Sequence, residues 1–135
     1  MDKKLFHNLI DVLDKTIKAY TQLKVLFEEK RDLLKSSNPD DLGVTDNKIM
    51  SLNNQIKQLN ESRTELALKI CGEDVNMSGF VEIAEIKAPE FVEPLNERKV
   101  KICKLVPELT LLNNQNVELI KHGIIMTNKM LETVI

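Results

Sequence analysis

LGVTDNKIMSLNNQIKQLNESRTELALKI, residues 42–70, decides the fold. Within it Leu42, Thr45, Ile49, Leu52, Ile56, Leu59, Arg63, Leu66 and Ile70 follow one another at alternating steps of three and four. Such spacing lays a narrow seam along one side of an α-helix, the kind one long helix offers to another in a coiled coil. Asn53, Asn54, Lys57, Gln58, Asn60, Glu61, Ser62 and Lys69 fall between the seam positions and make a solvated face. Gly72, directly after Cys71, supplies the left-handed cap that ends the helix.

The partner of this seam lies upstream. Phe6, Leu13, Tyr20, Phe27 and Leu34 recur every seven residues, with Leu9, Ile10, Ile17 and Leu23 three or four positions away. This predicts a first long helix over about residues 5–34. Between the two helices, Ser36-Ser37-Asn38-Pro39-Asp40-Asp41 is a turn, because the residue before a proline resists the α conformation. Asp40 and Asp41 then suit the first turn of the second helix, where carboxylates meet the positive end of its dipole. A short turn makes the two helices antiparallel, so residues 1–72 form an elongated helical hairpin.

Residues 73–94 are the least regular stretch, with Gly79, Pro89 and Pro94 among short apolar patches; a short helix near Ser78–Glu85 is expected within this connector. Periodicity returns over 95–135, where Ile102, Leu105, Leu109, Leu112, Asn116, Leu119, Gly123, Met126 and Met130 step by threes and fours. Pro107 should kink or divide this third long helix. The expected fold is therefore all-α: a single helical domain over residues 1–135, built as a three-helix bundle or coiled coil of the hairpin plus the third helix.

Composition agrees with few, long elements. The chain has 135 residues, of which only four are Gly and four Pro, and its core must come from 19 Leu and 12 Ile because aromatics number five. Nineteen basic and 21 acidic residues leave a net charge of -2, and only three of the basic residues are Arg. That argues against a nucleic-acid-binding surface, which needs clustered excess cation. Neither a signal peptide nor a membrane span can be read in the sequence, so a soluble cytoplasmic protein is expected, without membrane insertion. Cys71 and Cys103 are expected as free, buried thiols in a reducing compartment. His7, His122 and the cysteines have no metal-ligand spacing, and no phosphate-binding glycine run or nucleophile motif occurs. No catalytic residue, cofactor or metal is expected, and the chain does not read as an enzyme.

What the sequence holds in surplus is apolar surface near its end. Placed on a wheel at about 100° per residue, the apolar residues of 102–135 fill half the circumference, far more than a seam requires. Two uses of that arc are open: packing against both arms of the hairpin, or binding another helix in a groove. Gly123 and the flexible side chains of Met126 and Met130 suit an adaptable binding surface. Asn116 in the seam would be costly if buried unpaired, and tolerable if that stretch is only partly covered.

The layout resembles the FlgN-type flagellar export chaperones. The resemblance spans essentially the whole chain and is carried by the Leu/Phe heptads, the Ser-Asn-Pro-Asp-Asp-Leu turn, the seam helix, the irregular connector, and Leu111-Leu112-Asn113-Asn114-Gln115-Asn116-Val117-Glu118-Leu119-Ile120. It implies a cytosolic type III export chaperone that binds hook–filament junction subunits, prevents their premature assembly and presents them to the flagellar export apparatus. It also implies a client surface in the C-terminal helical region, which coincides with the apolar arc: Leu112, Val117, Leu119, Ile120, Ile124, Met126, Met130, Leu131 and Val134. The alternative from another class is a structural coiled-coil scaffold or adaptor that self-associates through the same helix as a homo-oligomer.

Overall fold

The computed structural model describes residues 3–36 and 39–134, with side chains described over 3–36 and 40–122. Four α-helices account for nearly all of it: α1 Lys3–Ser36, α2 Pro39–Cys71, α3 Met77–Lys87 and α4 Val92–Val134, with a turn of 3-10 helix, Pro89–Phe91, leading into α4. No strand occurs among the described residues, so the fold is all-α. None of these helices is long and apolar enough to cross a membrane.

Each boundary has a local cause. α2 opens on Pro39, whose missing N–H costs nothing in a first turn, and carries Asp40 and Asp41 in that turn. It closes at Gly72, where φ is 80° and the amide donates to the Leu68 carbonyl at 3.0 Å. The Asn76 side chain caps α3 by accepting from the Gly79 amide at 3.0 Å, so α3 starts one residue earlier and ends two later than the short helix expected from sequence. α4 starts at Val92 rather than Leu95, because Pro94 falls in its first turn, where a proline fits. Pro107 does not divide it: α4 runs as one helix through that residue to Val134.

α1 is the central element. It lies along α2 on one side and along α4 on another, whereas α2 and α4 scarcely approach each other among the described residues. The seam residues Ile49, Leu52 and Leu66 are buried, and Ile56 and Leu59 are half-buried against the same clusters, all facing α1. α4 runs parallel to α1. Phe91 stacks on Phe6 with ring centroids 5.2 Å apart, Arg98 reaches Asp14 at 2.9 Å, Lys24 pairs with Glu108 at 2.9 Å, and Asn116 Nδ2 donates to the Phe27 carbonyl at 3.1 Å. The register therefore advances together along both helices.

The two ends of the bundle differ in thickness. Near the start of α1, Phe6, Leu9 and Leu13 meet Leu66, Ala67 and Ile70 of α2, Phe80, Val81 and Ala84 of α3, and Phe91 and Leu95. Four elements share that core. Toward the α1–α2 turn the buried cluster reduces to Ala19, Leu23, Ile49, Leu52 and Leu109. Ala19 has no methylene to hold a neighbour off, which suits it to a helix packed on two sides. Arg63, placed in the seam by its spacing, is taken out of it: its guanidinium reaches Asn60 Oδ1 at 3.1 Å and the Val75 carbonyl at 2.9 Å, tying α2 to the segment before α3. Both cysteines are free, but Cys103 is exposed and Cys71 only half-buried, which corrects the expectation of two buried thiols. Cys103 lies on the side of α4 turned away from α1.

Candidate functional site

The seam of α4 continues past Pro107 as Leu105, Leu109, Leu112, Asn116 and Leu119, at steps of four and three. Leu109, Leu112 and Asn116 are buried, and Leu105 and Leu119 half-buried. Leu112, at 7% exposure, is thus packed inward rather than offered to a partner. On one flank of this seam stand Val117 and Ile120, exposed at 39% and 38%, in line with Val106 one and a half heptads upstream. On the other flank stands Leu111, 60% exposed. The arc read from sequence is therefore real over the described half: apolar side chains face solvent on both sides of the buried line. Leu109 shares a buried cluster with Ile49 and Leu52 of α2 as well as with α1, while Leu111, Val117 and Ile120 stay outside it.

Ile124, Met126, Met130, Leu131 and Val134 lie outside the residues whose side chains are described. The backbone helix that carries them continues to Val134. α1, however, ends at Ser36, and the pairing of Phe27 with Asn116 and of Arg31 and Lys35 with the stretch around Leu119 and His122 puts that end opposite about residue 124 of α4. Roughly ten residues of α4, about 15 Å of helix at 1.5 Å per residue, follow the point where α1 stops.

Asn116 corrects one expectation. It is not in a loosely covered stretch but 2% exposed, with its Nδ2 on the Phe27 carbonyl and its Oδ1 buried without a partner. One turn further along α1, Arg31 holds a buried Nε that also has no hydrogen-bond partner. Arg31 and Lys35 form one wall of a groove of about 710 Å³ whose other wall is Leu111, Asn114, Gln115, Glu118, Leu119 and His122 of α4. Sequence reading missed this groove. The doublet Leu111-Leu112 was a usable signal, since only one of two adjacent residues can enter the seam and the other must face out.

Elsewhere the polar groups are committed to structure. Lys24 holds the Glu108 carboxyl below its ordinary range, and Lys3 does the same for Glu90, in each case chiefly through the hydrogen bond between the pair. The Asp14 carboxylate bonded to Arg98 raises that guanidinium's pKa further. His7 sits edge-on to Phe91 at 4.9 Å between ring centroids. A second cleft, of about 400 Å³, opens where α2 and α4 part over α1, between Tyr20, Ile56 and Ile102; its polar wall is the Arg63 network just described. Among the described residues no cluster of His, Cys, Asp and Glu could hold a metal ion.

A long helix laid parallel on a helical hairpin, with apolar side chains exposed on both flanks of its buried seam, makes this an all-α helical-bundle protein. The family comparison says which: the family model described as FlgN protein matches residues 1–134, and the chain belongs to the FlgN family of flagellar export chaperones, a chaperone family and not an enzyme family. No curated protein and no solved structure matches the chain significantly.

Proposed function

We propose that this chaperone binds hook–filament junction subunits in the cytoplasm, keeps them from assembling early and hands them to the flagellar type III export apparatus. Its client surface is the margin of α4 beside the buried seam, Val117, Leu119 and Ile120, continued by Ile124, Met126, Met130, Leu131 and Val134. Leu112 supports this surface from beneath. The observation that carries the reading is the mismatch in length: α4 exposes apolar residues on both flanks where α1 supports it, and keeps its apolar pattern in sequence after α1 has ended.

A subunit segment that polymerises does so through an amphipathic surface. Laying that segment along α4 as a helix in a groove hides the same surface with no chemical step. Each fully buried Leu or Ile side chain contributes about 1.5–3 kcal/mol, so a handful of such contacts suffices for a complex that forms in the cell and still releases its client at the export gate. The thick end of the bundle, where four elements share a core, keeps the hairpin folded while the far end stays free to bind.

Co-expression with junction subunits, followed by size-exclusion chromatography, tests this. Co-elution of a junction subunit with the chain supports the reading. A chain that elutes alone as a homo-oligomer, with every junction subunit in separate fractions, refutes it in favour of the self-associating scaffold.

A further inference from the structure

Arg31 is the most weakly satisfied of the three arginines. Its side chain is 31% exposed, its Nε is buried without a hydrogen bond, and its nearest carboxylate is its own neighbour Asp32, at 3.7 Å. The other arginines differ: Arg98 holds Asp14 at 2.9 Å and the Pro94 carbonyl at 3.1 Å, and Arg63 holds the Val75 carbonyl at 2.9 Å and Asp74 at 3.4 Å. An arginine whose planar donors are partly desolvated and unanswered is costly on its own and gains most when a carboxylate arrives. One turn on, Lys35 stands in the last turn of α1 with no ion pair among the described residues.

Both cations face the groove whose opposite wall supplies Leu111 and Leu119. The other charged or titratable groups there are Glu118, 3.5 Å from Lys121, and His122. The groove thus sets the apolar side chains of Leu111 and Leu119, flanked by the polar Asn114, Gln115, Glu118 and His122, opposite a wall with two positive charges. Its occupant must match both: an apolar stripe toward Leu111 and Leu119, and a negative charge toward Arg31 and Lys35.

We infer that this groove takes an amphipathic helical segment of the client that carries an Asp or Glu beside its apolar stripe, and that Arg31, supported by Lys35, binds this carboxylate. The inference rests on the client reading of α4 above and adds α1 to the binding surface. Arg31 thereby sets the register and direction of the bound segment, since a stripe of leucines alone fits a groove in several positions and a bidentate ion pair fits in one.

The test uses the full chain and two synthetic amphipathic helical peptides with an identical leucine stripe, one with Glu and one with Gln at the flanking position, measured by calorimetry. The Glu peptide binds about tenfold more tightly, as a partly desolvated ion pair allows, and raised salt narrows the gap. Arg31→Gln removes the discrimination without lowering the melting temperature, and Lys35→Gln reduces it. Arg31→Glu reverses the preference toward a peptide with Lys at that position. Equal binding of the two peptides, binding of neither, or discrimination that survives Arg31→Gln overturns the inference. Co-elution with junction subunits is read separately. Retained co-elution without discrimination defeats only the carboxylate inference; discrimination without co-elution defeats only the junction-subunit reading.

Discussion

Replacing Asn116 by Leu should stabilise the protein, although it removes a hydrogen bond from the core. Asn and Leu have the same branching at Cγ, so the substitution fills the same space with little repacking. The native side chain is 2% exposed; its Nδ2 donates to the Phe27 carbonyl at 3.1 Å, and its Oδ1 is buried with no partner. Losing the hydrogen bond costs about 0.5–1.5 kcal/mol, while removing an orphaned acceptor recovers about 1–3 kcal/mol. The Phe27 carbonyl is not orphaned in turn, because it lies within α1 and keeps its helical bond from four residues on. Burying Leu where Asn stood adds a hydrophobic gain, so the net change should be about 1–2 kcal/mol in favour of folding. For a chain of this length each kcal/mol moves Tm by about 3–5 °C. Urea unfolding followed by circular dichroism measures it directly. An unfolding free energy lowered by about 1 kcal/mol or more would refute the reasoning, since it would mean that Oδ1 is satisfied in solution.

Further outcomes follow from the packing and the charges. Phe6→Ala, at a fully buried ring stacked on Phe91, should cost about 3–5 kcal/mol in chemical denaturation. Ile56→Asp should cost several kcal/mol, as it sets a charge against the α1–α2 cluster, while Asn54→Asp on the solvated face should cost little. Gly79→Ala should destabilise despite the better helix propensity of Ala, because the new Cβ would lie 2.6 Å from Val75 Cβ; the double variant with Val75→Ala should recover most of the loss. Glu108 and Glu90 have folded pKa values below the ordinary 4.5, so the folded state binds fewer protons than the unfolded one in that range. Their stabilisation is full above pH 4.5 and fades as the pH falls through the lowered values; Glu108→Gln should flatten the acid limb of a stability–pH curve. Alkylation without reductant should modify both thiols, exposed Cys103 first and Cys71 later, since burial pushes the Cys71 thiol's pKa up.

The long helices were legible because nothing competes with their pattern: three-four steps over residues 42–70 leave one face to bury, and Pro39 and Gly72 punctuate them with residues whose backbone limits are intrinsic. What the pattern could not fix was the partner of each face. The repeat in α1 does not say that two helices share it, and only Ala19, small and buried, hints that α1 is in the middle. Arg63 kept the seam's spacing yet left the seam, because a guanidinium finds Asn60 and the Val75 carbonyl only once the chain after Gly72 turns back. Pro107 looked like a break, but the helix packed along α1 on both sides of it is not divided there. The margin of α4 was readable as an excess of apolar residues; its division into buried Leu112 and exposed Leu111, Val117 and Ile120 depends on the register against α1. Arg31 was invisible for the same reason, since its significance lies in what α4 places across from it.

The central claim, that the margin of α4 serves a client rather than the fold, is tested most directly by one variant, Ile120→Asp with Ile124→Asp and Leu131→Asp, carried through junction-subunit co-elution and thermal melting together. The account predicts that co-elution is lost while the helical signal and Tm stay near those of the parent. A variant that still binds, or one whose Tm collapses because these side chains hold α4 onto the hairpin, would contradict it.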